Sequence, residues 1–138
     1  MSGTIAFDAD VLIYAAATDH PVGARVAPLF ADAEVTGVGS VLLLTEVLTK
    51  PMRDDPASDE TVALAGLLSR LDLRPLDDAT ARLALVLAVS HGLRAADAAH
   101  LATAVAAGAD RFLTNNRKDF PQTISEIDVV YPEDLEAD

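Results

Sequence analysis

Short apolar segments alternate with longer segments of helical pattern along the whole chain, and this alternation limits the fold more than any other feature. Strands are predicted at 5–7, 35–38, 73–76, 111–114 and 128–131. Helices are predicted at 11–18, 21–33, 40–52, 60–71, 78–90 and 95–107. Apolar strands that alternate with helices usually form a parallel sheet covered on both faces. The sequence therefore predicts an α/β domain with a mainly parallel sheet.

The length and composition favour one folded domain that spans residues 1–138. The chain has 138 residues, of which 51% are hydrophobic, and it has no cysteine. It can therefore build a core, but it has no disulfide, thiolate ligand or thiol nucleophile. The N-terminus lacks the pattern of a signal peptide, and no segment has the ~20 uninterrupted apolar residues of a membrane span. We expect a cytoplasmic protein without a membrane anchor.

Acidic residues dominate the charge of the chain. The net charge of −12 disfavours a protein that binds nucleic acid by bulk electrostatic attraction. Several basic residues nevertheless lie within seven residues of the acidic segments described below, among them Lys50, Arg53, Arg94, Arg117 and Lys118. This grouping predicts a local basic rim that would steer a polyanionic strand, with chance clustering as the alternative.

Three acids occupy positions where an apolar residue would be expected: Asp8, Glu46 and Asp97. An unpaired carboxylate is costly to bury, so acids in apolar segments usually have a partner, often a metal ion. Asp8 follows the first predicted strand, and in parallel sheets sites form at the carboxyl ends of strands. Oxygen ligands suit Mg²⁺ or Mn²⁺ rather than zinc. The three acids therefore predict one divalent-cation site.

Each polar residue near this pattern also has a structural interpretation. Asp10 fits the N-cap of the first helix, with contact to a metal or water as the alternative. Glu46 could form an exposed ion pair with Lys50, one turn along its helix. Asp97 lies in a first helical turn, where the helix dipole favours negative charge. His100 is either a buried core residue or a partner of the site.

The segment from Thr114 to Phe120 supplies the fourth group of polar residues. Asn116 offers a carbonyl oxygen to a cation and Asp119 offers a carboxylate. The alternative is a simple turn, because Asn and Asp are common in turns.

Four segments in order resemble the PIN-domain ribonucleases, and among them the VapC-type toxins of bacterial and archaeal toxin–antitoxin pairs. They are residues 7–14, 45–48, 93–104 and 112–120. The resemblance implies a three-layer α/β/α fold with a mainly parallel sheet of about five strands. It also implies an endoribonuclease that depends on Mg²⁺ or Mn²⁺. The implied partners are an RNA substrate, a cognate VapB-like antitoxin and a second copy of the chain.

The resemblance also implies roles for individual residues. Asp8, Glu46 and Asp97 match the three core acids, and Thr114 matches a hydroxyl that supports the site. The chain departs from the family pattern at two positions. Asp10 replaces a common Asn, and Asn116 replaces a common fourth acid. Either Asp119 substitutes for that acid or the site relies on three acids.

The resulting hypothesis is a metal-dependent endoribonuclease. Metal-held water would attack the phosphodiester in line and leave a 5′-phosphate and a 3′-hydroxyl. Asp8, Glu46 and Asp97 would bind metal, Asn116 or Asp119 would complete the site, and Thr114 would orient Asp8. Lys50, Arg53, Arg94 and Arg117 would contact the RNA backbone.

Two other functions fit parts of the sequence. One is a PIN-fold binding module with weak or no catalysis, which the missing fourth acid favours. The other is a phosphatase with an aspartyl nucleophile, because the sequence Asp8-Ala9-Asp10 follows a strand. That class requires a Thr soon after the second Asp, and Val11-Leu12 does not fit this requirement.

Overall fold

The computed structural model describes residues 2–17 and 19–135. Its strands are Gly3–Phe7 (β1), Val35–Ser40 (β2), Asp72–Arg74 (β3), Arg111–Leu113 (β4) and Asp128–Val130 (β5). Its α-helices are Ala9–Ala16 (α1), Pro21–Val26 (α2), Leu43–Asp54 (α3), Asp59–Ser69 (α4), Asp78–His91 (α5) and Ala95–Ala106 (α6). Two short 3-10 helices cover Ala27–Ala31 and Pro132–Asp134.

All five strands form one parallel sheet in the order β3-β2-β1-β4-β5. The strands are short and apolar because both faces of the sheet are covered. β1 lies at the centre, between β2 on one side and β4 on the other. The chain order changes direction at β1, and a switch of this kind leaves a crevice at the carboxyl ends of the strands. The predicted α/β fold with a parallel sheet of about five strands is confirmed.

Two apolar cores lie on opposite faces of the sheet, because successive side chains of a strand point to opposite sides. Ile5 and Phe7 of β1 belong to the core formed with α1, α2, α3 and α4. Ala6, between them, belongs to the core formed with α5 and α6. The three-layer α/β/α arrangement predicted from the resemblance is therefore confirmed.

The start of α1 differs from the prediction. The sequence favoured Asp10 as the N-cap of a helix from residue 11 to about residue 18, but the cap is Asp8, whose side chain accepts from the Ala9 N–H. The helix begins two residues earlier than predicted, and the predicted end at Thr18 lies outside the described residues. Asp10 therefore lies in the first turn, and its carboxylate is not used for capping.

The later helices agree with their predicted bounds in part. Those of α4, α5 and α6 lie close to the prediction, whereas α2 ends at Val26 instead of residue 33 and α3 begins at Leu43 instead of residue 40. The side chains of Ser58 and Asp77 cap α4 and α5. Gly92 ends α5 with a positive φ of 65°, a conformation that costs glycine little. Proline normally opposes a helix interior, yet α3 continues past Pro51 to Asp54, beyond the predicted end at residue 52.

None of the helices within residues 2–17 and 19–135 is both long enough and apolar enough to cross a membrane.

Candidate metal centre

Asp8 lies at the carboxyl end of the central strand and is 6% exposed. Its backbone N–H donates to the Leu113 carbonyl at 3.0 Å, which ties the end of β1 to β4. One carboxylate oxygen accepts from the Ala9 N–H at 2.9 Å. The other accepts from the Thr114 hydroxyl at 2.8 Å. The Asp8 carboxylate therefore has a fixed orientation in a site that water reaches poorly.

Thr114 holds more than one part of the site. This residue is fully buried immediately after β4. Its hydroxyl oxygen also accepts from the Asn116 N–H at 3.0 Å. The hydroxyl therefore links Asp8 to the loop that follows β4.

Asp10 faces the same loop. Both of its carboxylate oxygens lie near the Asn115 N–H, at 3.2 and 3.3 Å. Burial raises the pKa of Asp10 to about 6, and the negative charge of Asp8 adds to this rise. Asp10 was not among the predicted site residues, because a capping role was the simpler interpretation of its position after the first strand. The doubled acid at a strand end, Asp8 and Asp10, was the signal that could have included it.

The other predicted acids approach Asp8 from separate elements. Burial raises the pKa of Asp97, in the first turn of α6, and the charges of Asp8 and Asp119 raise it further. Burial likewise raises the pKa of Asp8, and Glu46 contributes to that rise. Acids that disturb one another in this way lie close together. The fold therefore brings together residues that are up to 111 positions apart in the sequence.

Asn116 and Asp119 are joined to each other by two hydrogen bonds. The Asn116 amide donates to Asp119 Oδ2 at 2.9 Å, and the Asp119 N–H donates to Asn116 Oδ1 at 3.2 Å. The charge of Asp119 reaches Asp97, as its effect on the pKa of Asp97 shows. Asp119 therefore supplies a carboxylate beside the site, and Asn116 fixes its position.

Glu46 is held by a histidine from another helix. Glu46 Oε2 lies 3.0 Å from His100 Nε2, across 54 positions of sequence. The His100 side chain is 1% exposed, whereas the Glu46 side chain is 33% exposed. From the sequence His100 could be a core residue or a partner of the site, and in the structure it is both buried and in contact with Glu46.

The donor set fits a hard divalent cation in its chemistry. All the candidate ligands are oxygen atoms, and the raised pKa values of Asp8 and Asp97 reflect buried negative charge that a cation would stabilise. Within the described residues, no three Asp, Glu, His or Cys side chains already surround one point as a metal site would require. Mg²⁺ commonly retains waters and uses one or two carboxylates, so such a cage is not required. The residues therefore fit Mg²⁺ or Mn²⁺ by their chemistry.

The predicted RNA-contacting residues lie on exposed parts of the molecule. Lys50 and Arg53 follow Glu46 by one and two turns of α3. Arg94 immediately precedes α6, and thus Asp97. Arg117 instead lies over the Tyr131 ring, 4.6 Å from its centre, and forms an ion pair with Glu133. All four cations are therefore exposed and close in sequence to a candidate site residue, but the charge of Arg117 is partly offset by Glu133.

Comparison with known proteins gives a consistent result. The PIN domain family model matches residues 5–124. No curated protein matches the chain significantly. The chain is similar to a chain in the crystal structure of VapBC2 from Rickettsia felis bound to a DNA fragment from its promoter. The TM-score is 0.73 and the sequence identity is 18%, and the match covers 93% of this chain and 98% of that one. It is also similar to a chain of a toxin–antitoxin complex from Klebsiella pneumoniae, with a TM-score of 0.71 and 21% identity over 93% and 97% of the respective chains.

Proposed function

We propose that this chain, which belongs to the PIN domain family, is an endoribonuclease that depends on Mg²⁺ or Mn²⁺ and serves as the toxin of a VapBC-type toxin–antitoxin pair. The observation that carries the proposal is the buried Asp8 carboxylate, which Thr114 fixes at the carboxyl end of the central strand. Asp97, Glu46 and Asp119 lie close enough to change the pKa of Asp8 or of one another. Hydrolytic nuclease chemistry is the general activity of this family.

The chain's own residues divide into three groups by their expected roles. Asp8, Glu46 and Asp97 would hold the metal, and Asp119 would complete the acidic set with Asn116 as its support. When bound, a divalent ion supplies an activated water and stabilises the charge that develops on the phosphodiester. Thr114 would keep Asp8 oriented, because its hydroxyl donates to the carboxylate at 2.8 Å. The expected products carry a 5′-phosphate and a 3′-hydroxyl.

The exposed basic residues would bind the RNA backbone beside this acidic site. Lys50, Arg53 and Arg94 are exposed and make no ion pair with any acid that the structure describes. Arg117 would contribute after release from Glu133. Local positive charge of this kind allows a protein with a net charge of −12 to bind a polyanion.

The similar structures support an antitoxin as one of the expected partners. One of them is a VapBC2 complex on promoter DNA and the other is a toxin–antitoxin complex. We therefore propose a VapB-like antitoxin as the inhibitor of this chain. A second copy of the chain as its dimer partner and the cytoplasm as its location are proposed from the sequence alone. A small neighbouring reading frame whose product copurifies with this chain and blocks RNA cleavage would support the assignment.

The activity is tested with purified, metal-stripped protein and labelled RNA. We expect cleavage after addition of Mg²⁺ or Mn²⁺, inhibition by chelator, and a loss of about 100-fold or more in Asp8→Asn. The exposed Asp54→Asn is the matched control for the loss of one acid. Full activity of Asp8→Asn, or no cleavage of any RNA with either metal, contradicts the proposal.

A PIN-fold binding module without turnover is the second candidate. Two observations favour it: Asn116 replaces the family's fourth acid, and no metal cage is already assembled within the described residues. Calorimetric titration with Mn²⁺ separates the two functions. RNA binding without Mn²⁺ binding at millimolar metal supports the module, whereas Mn²⁺ binding that Asp97→Asn weakens supports the nuclease.

A further inference from the structure

His100 forms a hydrogen bond that crosses between two helices at the candidate metal centre. Its Nε2 lies 3.0 Å from Glu46 Oε2, which joins α6 to α3. A carboxylate only accepts hydrogen bonds, so Nε2 must carry the proton. His100 lies one turn after Asp97 on α6 and is 3% exposed. The hydrogen bond therefore joins a buried side chain to Glu46 at the candidate metal centre.

The other ring nitrogen of His100, Nδ1, contributes no hydrogen bond to the part of the core that the structure describes. His100 Nδ1 is buried and has no hydrogen-bond partner among the described residues. An unpaired buried polar atom disfavours the folded state, and an apolar side chain of similar size would avoid this cost. Packing in the core therefore does not account for a histidine at position 100. The hydrogen bond from its Nε2 to Glu46 is the interaction that an apolar residue could not make.

Glu46 is the site acid whose position most needs support. Its side chain is 33% exposed and extends from α3. Lys50 lies one turn further along the same helix, at the spacing that allows a competing ion pair with Glu46. A flexible Glu side chain in water samples many rotamers, and ordering it on metal binding would reduce affinity. The bond to His100 selects one orientation before any ligand arrives.

The effect of Glu46 on its neighbours agrees with this orientation. Its charge contributes to the raised pKa values of Asp8 and Asp97, after burial as the main cause. Glu46 thus lies near Asp8 and Asp97 while it is hydrogen-bonded to His100.

We propose that His100 is a positioning residue, which holds the Glu46 carboxylate toward Asp8 and Asp97 so that a divalent ion meets this ligand already in place. The inference rests on the proposed metal-dependent function. His100 acts through Glu46 and contacts neither metal nor RNA. Partners of this kind, which orient metal ligands, typically contribute 10- to 100-fold to metal affinity.

Two substitutions separate positioning from packing. His100→Leu fills the core without a polar atom, and His100→Gln presents an amide N–H close to the place of Nε2. We expect His100→Leu to bind Mn²⁺ about 10- to 100-fold more weakly in calorimetric titration of the metal-stripped protein. Its thermal midpoint should be unchanged or higher, because the unpaired Nδ1 is removed. His100→Gln should recover most of the Mn²⁺ affinity.

A metal-free measurement tests the bond itself. The ¹⁵N shifts of the His100 ring should show the tautomer with its proton on Nε2, with His100→Gln used to assign the signal. Glu46→Ala should speed exchange of that proton with water. A proton on Nδ1, or exchange that Glu46→Ala leaves unchanged, overturns the inference even if His100→Leu does not fold.

The Mn²⁺ affinities of the variants separate a failure of the positioning role from a failure of the proposed function. Mn²⁺ affinity in His100→Leu equal to that of the unaltered protein overturns the positioning role. Equal losses of affinity in His100→Leu and His100→Gln also overturn it, because the donor would then be irrelevant. An unaltered protein that binds no Mn²⁺ and cuts no RNA overturns the proposed function, and the ring shifts then show separately whether His100 holds Glu46.

Discussion

At the residue scale, a few hydrogen bonds are the main interactions that stabilise the buried carboxylate of Asp8. Asp8 lies in the crevice of the sheet and has two hydrogen-bond donors, the Thr114 hydroxyl and the Ala9 N–H. Burial nevertheless raises its pKa, so the donors compensate only in part. The site therefore has a cost in stability without metal, and single substitutions should reveal both this cost and the function.

Loss of the Thr114 hydroxyl should separate orientation from packing. Thr114→Val keeps the buried volume but removes the donor to Asp8 and the acceptor for the Asn116 N–H. We expect Mn²⁺ affinity to fall by about 10- to 100-fold, because the ligand is no longer oriented. Calorimetric titration measures the effect. Thr114→Ser keeps the hydroxyl and serves as the control, so a similar loss in both variants would contradict the orienting role.

Replacement of Asp10 should change stability in a pH-dependent way. Burial and the charge of Asp8 raise its pKa from 3.8 to about 6 in the folded protein. The folded state therefore binds the proton more tightly, and the resulting stabilisation is complete below pH 3.8 and is lost as the pH rises through 6. At pH 8 the ionised carboxylate is unfavourable, so Asp10→Asn should raise the free energy of unfolding of the metal-free protein by about 1 to 3 kcal/mol.

Urea unfolding at pH 4 and pH 8 checks the prediction for Asp10. Little difference between Asp10→Asn and the unaltered protein is expected at pH 4, where the Asp10 carboxyl is protonated in the folded state. The exposed Asp54→Asn controls for the loss of one negative charge from the molecule. A stability difference of equal size at both pH values would show that the buried charge is not its cause.

At the scale of secondary structure elements, close helix contacts depend on glycine at particular positions. Gly23 of α2 lies so close to α1 that an added Cβ would fall 2.1 Å from the Tyr14 carbonyl oxygen and 2.7 Å from that of Ala17. Backbone atoms cannot move aside as a flexible side chain can. The α1–α2 hairpin therefore requires glycine at this position, although nothing in the local sequence marks it.

A matched pair of glycine substitutions tests this contact. Gly23→Ala should lower the free energy of unfolding by about 1 to 3 kcal/mol, because α2 must move away from α1. Gly66 lies in α4 with nothing within 4 Å of an added Cβ. Gly66→Ala should instead raise stability by up to about 1 kcal/mol, because alanine favours the helix. Chemical unfolding of both variants measures the difference, and changes of the same sign would contradict this explanation.

The elements themselves were largely predictable, and the errors have local causes. All five strands occur close to their predicted places, because short apolar runs between helices usually form buried strands of a parallel sheet. The capping residue of α1 was wrong, since Asp8 and Asp10 are chemically equal candidates and only the geometry at the end of β1 distinguishes them. The end of α3 was uncertain, because the effect of Pro51 depends on the surrounding structure.

At the scale of the whole molecule, charge and metal are coupled to stability. The net charge of −12 includes acids gathered at one site from distant parts of the chain. Mn²⁺ that binds only the folded state should stabilise it by about 2.7 kcal/mol at a concentration 100 times its dissociation constant. Thermal unfolding with increasing Mn²⁺ measures the effect.

The control for Mn²⁺ separates specific binding from general screening. NaCl at equal ionic strength reduces repulsion among exposed acids but does not occupy the site. We expect a smaller rise in the thermal midpoint with NaCl than with Mn²⁺, and Asp97→Asn should abolish most of the difference. Equal effects of the two salts would indicate screening alone.

The sequence by itself determined the fold class and the candidate acids. Strand and helix patterns repeat over short distances, so local periodicity is enough to predict them. An acid in an apolar segment is conspicuous for the same reason, which is how Asp8, Glu46 and Asp97 were found. The basic residues near these segments could be named in the same way, although the sequence did not show that Arg117 pairs with Glu133.

Only the tertiary structure decided which side chains meet. Hydrogen bonds and charge effects act over a few ångströms, and no local pattern predicts contacts between residues as far apart in sequence as Glu46 and His100 or Asp8 and Thr114. The sheet order, with β1 between β2 and β4, brings β1 and β4 side by side and so joins Asp8 to Thr114. The packing of α3 and α6 on opposite sides of the sheet, both near its carboxyl edge, completes the contact between Glu46 and His100.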